Sequence, residues 1–186
     1  TAVEGGLVTT NDTALADRLR SMRDYGRDPI HGEDMVDLGL SARMSELHAA
    51  VGLWSLRRVH EWGKARLARI EIYRDRLGAL PGCWVQALPD DRTTSGNYFV
   101  LFITDRARTN RDTVYKKLQQ AGIQTKRYFH PPVHEQTLFK QWPTRMSSDL
   151  SHTERASLEG LALPLYSHMT LEQLDTVCRA VEESLQ

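Results

Sequence analysis

The segment SELHAAVGLWSL, residues 45–56, is the part of this 186-residue chain that most constrains its fold. Ser45 is a favourable N-cap residue, so a helix is expected to begin directly after it. Its apolar residues cover much of the helical circumference: Leu47, Ala49, Ala50, Val51, Leu53, Trp54 and Leu56. A helix that is apolar on most sides has to be buried between layers or against another body. We therefore predict an interdomain helix over residues 45–62, which Gly63 breaks or kinks.

Residues 1–44 are expected to form the end of a larger domain together with a loop. Residues 7–10 are rich in β-prone side chains and predict a short strand. Asn11 or Asp12 can cap the helix that follows. Residues 27–37 contain a proline, a glycine and four acidic residues, which is typical of a loop. Since the first residue is threonine, we expect the chain to be cut from a longer polypeptide.

Residues 63–186 alternate helical and strand patterns, which indicates a smaller C-terminal domain. Helical periodicity predicts helices at 64–80, 110–120, 148–159 and 170–185. Runs of β-branched and aromatic residues predict strands at 83–88, 97–103, 123–129 and 161–165. This order favours a chain of the α/β class, with an α+β domain whose small, mostly antiparallel sheet has helices on one face.

Composition excludes several functions. Lys+Arg and Asp+Glu both number 24, so the formal net charge is zero and no basic excess favours nucleic acid. No polybasic block or long apolar run predicts a membrane partner. Cys83 and Cys178 lie far apart, without metal-ligand spacing, and are expected to be reduced thiols in a cytoplasmic protein. The seven histidines form no helical metal pair, so no metal is predicted.

Two segments of the first 46 residues carry groups suited to holding an anion. In Glu4-Gly5-Gly6, paired glycines allow a tight turn or a close approach of the backbone to a ligand. In residues 39–46, a loop enters a helix N-terminus and offers Ser41 and Arg43 to an oxyanion or a phosphate. An ordinary turn at the glycines and an ordinary helix cap at Ser45 explain the same residues.

A third segment, residues 126–136, combines aromatic, cationic and imidazole side chains around two prolines. The groups that could contact a substrate are Lys126, Tyr128, His130 and His134. Loops that follow a strand often carry binding residues, which makes a substrate contact plausible here. A solvated loop with aromatic anchors is an equal alternative on the residues alone.

Taken in order, four stretches resemble the second half of the DegT/DnrJ/StrS-type sugar aminotransferases. These stretches are EGGLVTTNDTALADRLRSMRDYG, DLGLSARMSELHAAVGL, GIQTKRYFHPPVHEQTLF and LALPLYSHMTLEQLDTV, and together they cover nearly all of the chain. The resemblance implies a fold-type I transferase that uses pyridoxal 5'-phosphate (PLP). It also implies transfer of an amino group from glutamate or glutamine to a keto-sugar, expected to be nucleotide-linked, by a homodimer.

The same resemblance assigns roles to individual residues. It places Glu4, Gly5, Ser41 and Arg43 near the cofactor, and Lys126, Tyr128, His130 and His134 near the sugar substrate. The catalytic lysine and the aspartate that pairs with the pyridine nitrogen are expected upstream of Thr1, in a separate N-terminal PLP domain. None of the five lysines of the chain stands at the catalytic place, so this chain alone is expected to be inactive.

Two departures from the family pattern affect these expectations. Serine at position 41 replaces the asparagine that usually contacts the cofactor phosphate of the partner subunit, and it is shorter. His130 stands where tyrosine is common. Two alternatives to the enzyme part remain open: a naturally truncated, non-catalytic relative that binds ligands or regulates, and an unrelated structural α+β domain.

Overall fold

The computed structural model describes residues 2–28, 30–142 and 149–186. The chain divides into two units, Thr1–His60 and Glu61–Gln186. Whether the first unit belongs to a larger domain stays a prediction. Among the described residues, no helix combines the length and the apolar character needed to cross a membrane.

The first unit contains two capped helices, α1 (Thr13–Met22) and α2 (Glu46–Leu56). The Asp12 carboxylate accepts a hydrogen bond from the Leu15 amide at 3.1 Å. Ser45 likewise accepts one from the His48 amide at 3.4 Å, so the cap of α1 is Asp12 rather than Asn11, and the cap predicted at Ser45 is confirmed. The cap side chains satisfy amides that have no partner inside the helix.

The strand predicted at residues 7–10 is wrong, because this segment has no regular structure and Leu7 and Val8 are exposed. A strand is stabilised by backbone hydrogen bonds to a neighbouring strand, and the described residues of this unit provide no such neighbour. The β-prone side chains therefore have no sheet to join.

The second unit is built on a three-stranded antiparallel sheet in the order β1 (Cys83–Val85), β2 (Phe99–Ile103), β3 (Gly160–Leu163). Leu101 of the central strand lies opposite Val85 on one side and Leu161 on the other. Alternate residues of β2 are buried, namely Phe99, Leu101 and Ile103. Because side chains alternate along a strand, these three face the same side of the sheet. The predicted antiparallel sheet is confirmed.

Three helices cover that face: α3 (Val59–Leu77), α4 (Arg111–Gln120) and α7 (Leu171–Ser184). Their apolar residues join the strand residues in one core, which includes Tyr73, Leu77, Val114, Leu118, Leu174, Cys178 and Val181. The α7 helix begins with a capping box formed by Thr170 and Gln173. The unit is completed by a short helical turn (Val133–Glu135), α5 (Thr137–Lys140) and α6 (Ser151–Glu159).

Several boundaries differ from those that the sequence predicts. The break expected at Gly63 is wrong, since α3 continues through it and the interruption lies at residues 57–58. One glycine costs a helix only about 1 kcal/mol, which the neighbouring helix formers offset. The strand expected at 123–129 is reduced to a single bridge between Lys126 and Ala162. Helix α6 begins at Ser151, while the predicted start at Ser148 lies outside the described residues.

Both cysteines are free thiols, as predicted. Burial raises the pKa of Cys83 and that of Cys178 to about 11. Neither thiol is therefore appreciably ionised at neutral pH, and Cys178 is one of the core residues.

Candidate functional site

The turn after α1 is bound to the loop before α2 by backbone hydrogen bonds. The Leu40 amide donates to the Met22 carbonyl at 2.8 Å, and the Tyr25 amide donates to the Leu40 carbonyl at 3.1 Å. Asp24 and Ser41 form an antiparallel bridge within this arrangement. We call residues 22–27 and 35–43 the clasp. The clasp fixes the loop that carries Ser41 and Arg43.

Two glycines allow the halves of the clasp to approach each other. Gly26 has a φ of +76°, a conformation that glycine adopts without steric cost. A Cβ atom at Gly39 would lie 2.1 Å from the Gly26 amide nitrogen. The backbones therefore pack directly against each other, with no room for a side chain at either position.

The side chains of the clasp collect hydroxyl and cationic groups around Tyr25. The guanidinium carbon of Arg43 lies 5.3 Å from the centre of the Tyr25 ring, and that of Arg27 lies 5.4 Å from it. Arg43 also pairs with Asp24, with a nitrogen–oxygen distance of 3.3 Å. A hydrogen bond with Ser41 and then the positive charge of Arg43 lower the pKa of the Tyr25 phenol.

This set of groups fits a phosphate. Tyr25 and Ser41 offer two hydroxyl groups, Arg27 and Arg43 offer two guanidinium groups, and Asp24 is the carboxylate paired with Arg43. Ser41 and Arg43 stand on a loop that leads into the N-terminus of α2. Arginine and hydroxyl donors bind phosphate oxygens well, and amides at a helix N-terminus favour an anion. The predicted pair Ser41 and Arg43 is therefore brought together, although their contact with a cofactor stays a prediction.

The other two predicted cofactor residues lie in the segment before α1. A Cβ atom at Gly5 would lie 2.9 Å from the terminal methyl carbon of Met44, so this glycine is adjacent to the loop that carries Arg43. Glu4 is exposed. The structure thus places the paired glycines next to the clasp loop, and their role toward a ligand stays a prediction.

In the second unit, Lys126 and Tyr128 line a cleft of about 580 Å³. The cleft extends from Tyr98 to Tyr166 and Gln173. Tyr98 and Tyr128 meet edge to face, with ring centres 5.1 Å apart. Aromatic faces with hydroxyl groups at their edges can bind both rings and polar groups of a ligand.

The two predicted histidines are outside the lining of this cleft. His130 Nδ1 lies 3.1 Å from the Ser157 hydroxyl. Since that hydroxyl donates its hydrogen to the Phe129 carbonyl at 2.6 Å, the histidine must be the donor in the first contact. His134 Nε2 lies 3.1 Å from a carboxylate oxygen of Glu154, and Glu135 is close to both. The predicted substrate residues are therefore divided between the cleft and the loop beside α6.

Sequence reasoning missed Tyr25, Tyr98 and Tyr166, because nothing in their local pattern marks them. Tyr25 is in the left-handed conformation, with a φ of +64°, which a tyrosine seldom adopts and its residue type does not predict. Tyr98, directly before β2, and Tyr166, in the segment before α7, line the cleft because the fold brings these two segments together. The contact between the His134 and Glu154 side chains was missed as well, since the two residues are separated by twenty positions.

Comparison with known proteins gives relatives along the whole chain. A GDP-perosamine synthase from Caulobacter vibrioides is 31% identical over 100% of this chain and 49% of its own length. A pleiotropic regulatory protein from Geobacillus stearothermophilus is 27% identical over 97% of this chain and 47% of its own. The chain thus spans about half the length of the curated relatives that it matches.

The fold also has solved counterparts. The crystal structure of DesI in the presence of its TDP-sugar product superposes with a TM-score of 0.85 at 29% identity, over 100% of this chain and 46% of that one. This likeness confirms the predicted class, the C-terminal part of a fold-type I transferase. The DegT/DnrJ/EryC1/StrS aminotransferase model matches residues 1–182. Since that match covers nearly the whole sequence, the chain belongs to the DegT/DnrJ/EryC1/StrS aminotransferase family.

Proposed function

We propose that this chain is the C-terminal part of a PLP-dependent aminotransferase that converts a nucleotide-linked keto-sugar into an amino sugar. The observation that carries the proposal is the clasp, which brings a serine and arginine side chains together at the loop that the family resemblance assigns to the cofactor phosphate. The named relatives, among them the GDP-perosamine synthase, support the class of substrate.

The cofactor would supply an electron-withdrawing ring that makes hydrogen at the amino-bearing carbon acidic. Ser41 and Arg43 of this chain, with Glu4 and Gly5 nearby, would hold its phosphate group. The amino group of glutamate or glutamine passes to the keto-sugar, and the carbonyl oxygen is exchanged in return, which leaves a 2-oxoacid and an amino sugar. The catalytic lysine would come from an N-terminal PLP domain.

For the sugar substrate, we assign the cleft and the adjoining loop. Lys126 is a cation suited to a phosphate, and the Tyr128 ring lies in the cleft beside Tyr98. His130 and His134 would complete the contacts from the loop beside α6, where their ring nitrogens are already held by Ser157 and Glu154.

We also propose that the enzyme is a cytoplasmic homodimer. The free thiols of Cys83 and Cys178 support a reducing compartment. The exposed apolar side chains of α2 support a covering partner, whether the N-terminal domain or a second subunit.

A second candidate is a non-catalytic ligand-binding or regulatory protein, as the name of the relative from Geobacillus stearothermophilus suggests for that protein. An assay of the full-length protein distinguishes the two candidates. The full-length protein should be loaded with PLP and mixed with L-glutamate and either a GDP-linked or a dTDP-linked 4-ketosugar. We expect 2-oxoglutarate and an equal amount of amino sugar by mass spectrometry. Retention of PLP without any amino sugar from either nucleotide series would favour the regulatory candidate.

A further inference from the structure

Tyr25 adopts a backbone conformation that its side chain disfavours. Its φ is +64°, and a bulky residue in this left-handed region is uncommon, whereas glycine and asparagine enter it more readily. The next residue, Gly26, has a φ of +76° and bears no such cost. The turn itself therefore gives no reason for a tyrosine at this position.

The surroundings of the Tyr25 side chain include both residues proposed to bind the phosphate, Ser41 and Arg43. The Tyr25 ring lies against the guanidinium groups of Arg43 and Arg27, at 5.3 and 5.4 Å from its centre, and the nearby Ser41 hydroxyl lowers the pKa of the phenol. Asp24, one residue earlier, pairs with Arg43 and bridges to the backbone of Ser41. Asp24 and Tyr25 are thus both adjacent to the two proposed ligands, Ser41 and Arg43.

We infer that Tyr25 is a positioning residue, which holds the Ser41 hydroxyl and the Arg43 guanidinium in place for the phosphate group of the cofactor. The inference rests on the proposed function. Arg43 is largely exposed, and an exposed arginine has many rotamers to lose when it binds an anion. The aromatic ring limits those rotamers before the anion binds, and in this proposal the phenol would restrain the Ser41 hydroxyl in the same way.

The test is the substitution Tyr25→Phe in the full-length protein, which removes the hydroxyl and keeps the ring. The dissociation constants of PLP and of pyridoxal, which lacks the phosphate, are measured by absorbance. We expect PLP binding to weaken about five-fold, the effect of one lost hydrogen bond, while pyridoxal binding is unchanged. In a Ser41→Ala background, Tyr25→Phe should have no further effect on PLP binding, because the phenol acts through Ser41.

Two further variants complete the design. Tyr115→Phe is the matched control, since Tyr115 also carries an arginine, Arg127, at 4.9 Å from its ring centre but lies in the second unit. Tyr25→Asn tolerates the left-handed backbone and removes the ring, so it should lower PLP affinity further without lowering the melting temperature of the cofactor-free protein.

Equal weakening of PLP and pyridoxal binding, or additive effects of Tyr25→Phe and Ser41→Ala, would overturn the positioning role and leave the proposed function intact. A wild-type full-length protein that binds PLP no more tightly than pyridoxal would overturn both, because no phosphate site would then exist.

Discussion

The Tyr73 hydroxyl donates a hydrogen bond to the backbone carbonyl of Pro164 at 2.8 Å and so ties α3 to the segment after β3. The Tyr73 side chain is fully buried, and burial raises the pKa of its phenol well above the ordinary range. Its ring stacks on Phe99, with the centres 4.8 Å apart. One residue therefore combines core packing with a polar contact between two elements.

The substitution Tyr73→Phe isolates that polar contact, because phenylalanine keeps the ring. We expect the free energy of unfolding to fall by about 1–2 kcal/mol, since the Pro164 carbonyl loses its partner. Urea denaturation followed by circular dichroism measures the change. Tyr98→Phe is the control, as the Tyr98 side chain is exposed and its loss of a hydroxyl should have little effect. Equal losses in the two variants would show that the bond to Pro164 contributes nothing specific.

A second prediction concerns acid stability. Arg76 of α3 binds Asp175 and Glu182 of α7, with nitrogen–oxygen distances of 2.6 and 2.9 Å. The hydrogen bond from Arg76 is the largest cause that lowers the pKa of Asp175. A lowered carboxyl pKa contributes stability above the unfolded value near 4, and this contribution disappears as the pH falls through the folded value. The difference in stability between wild type and Arg76→Met should therefore be largest near pH 7 and shrink below about pH 4. A difference that is constant with pH would assign the effect of Arg76 to packing alone.

The third prediction concerns Ser41, whose contact with the cofactor phosphate is proposed above. In the full-length protein, Ser41→Ala should raise the dissociation constant of PLP about tenfold, the cost of losing a hydrogen bond to a charged group. Ser41→Asn should restore or tighten binding, because the longer amide reaches further. Retention of PLP through gel filtration provides an independent measurement. Unchanged affinity in both variants would remove Ser41 from the site.

The fourth prediction concerns His134, which is held by Glu154 beside α6. If this histidine contacts the sugar substrate, His134→Ala should slow amino-sugar formation about tenfold or more. Release of 2-oxoacid from the amino donor should be nearly unaffected, since that half of the reaction does not use the sugar site. Glu154→Gln keeps an oxygen acceptor for His134 and serves as the conservative control. Equal losses in both halves, with a lower melting temperature, would make His134 structural.

The fifth prediction concerns the exposed apolar residues of α2. Leu47 is 81% exposed and Leu53 60% exposed, although the helix is apolar on most sides. Apolar patches of this kind are usually covered by a partner. The 186-residue chain on its own should therefore self-associate, and the combined variant Leu47→Glu and Leu53→Glu should reduce that association. Light scattering over a wide concentration range measures it, and a monodisperse wild-type monomer throughout would contradict the prediction.

The parts of the fold that could be predicted from the sequence are those that depend on neighbouring residues. The caps at Asp12 and Ser45 are local hydrogen bonds, and the sequence pattern indicated Ser45 directly and Asp12 as one of two neighbouring candidates. The expected strands at 7–10 and 123–129 failed because strand pairing depends on distant residues, which a local pattern does not contain. The same reason applies to the site: Ser41 and Arg43 stand in a recognisable stretch, whereas Tyr25 is brought to them only by the pairing of the clasp.

The contact between Gly26 and Gly39 has a consequence for experiments that survey every possible substitution. A side chain at Gly39 would enter the space of the Gly26 amide, and one at Gly26 would lie 1.7 Å from the Asp37 carbonyl oxygen. Both positions should thus reject all nineteen alternatives in a saturation library, as a residue in direct contact with substrate would. Fitness scores alone would then rank these two glycines beside Ser41 and Arg43, although they contribute no functional group. Separating the two kinds of intolerance requires scoring abundance and ligand retention in the same library.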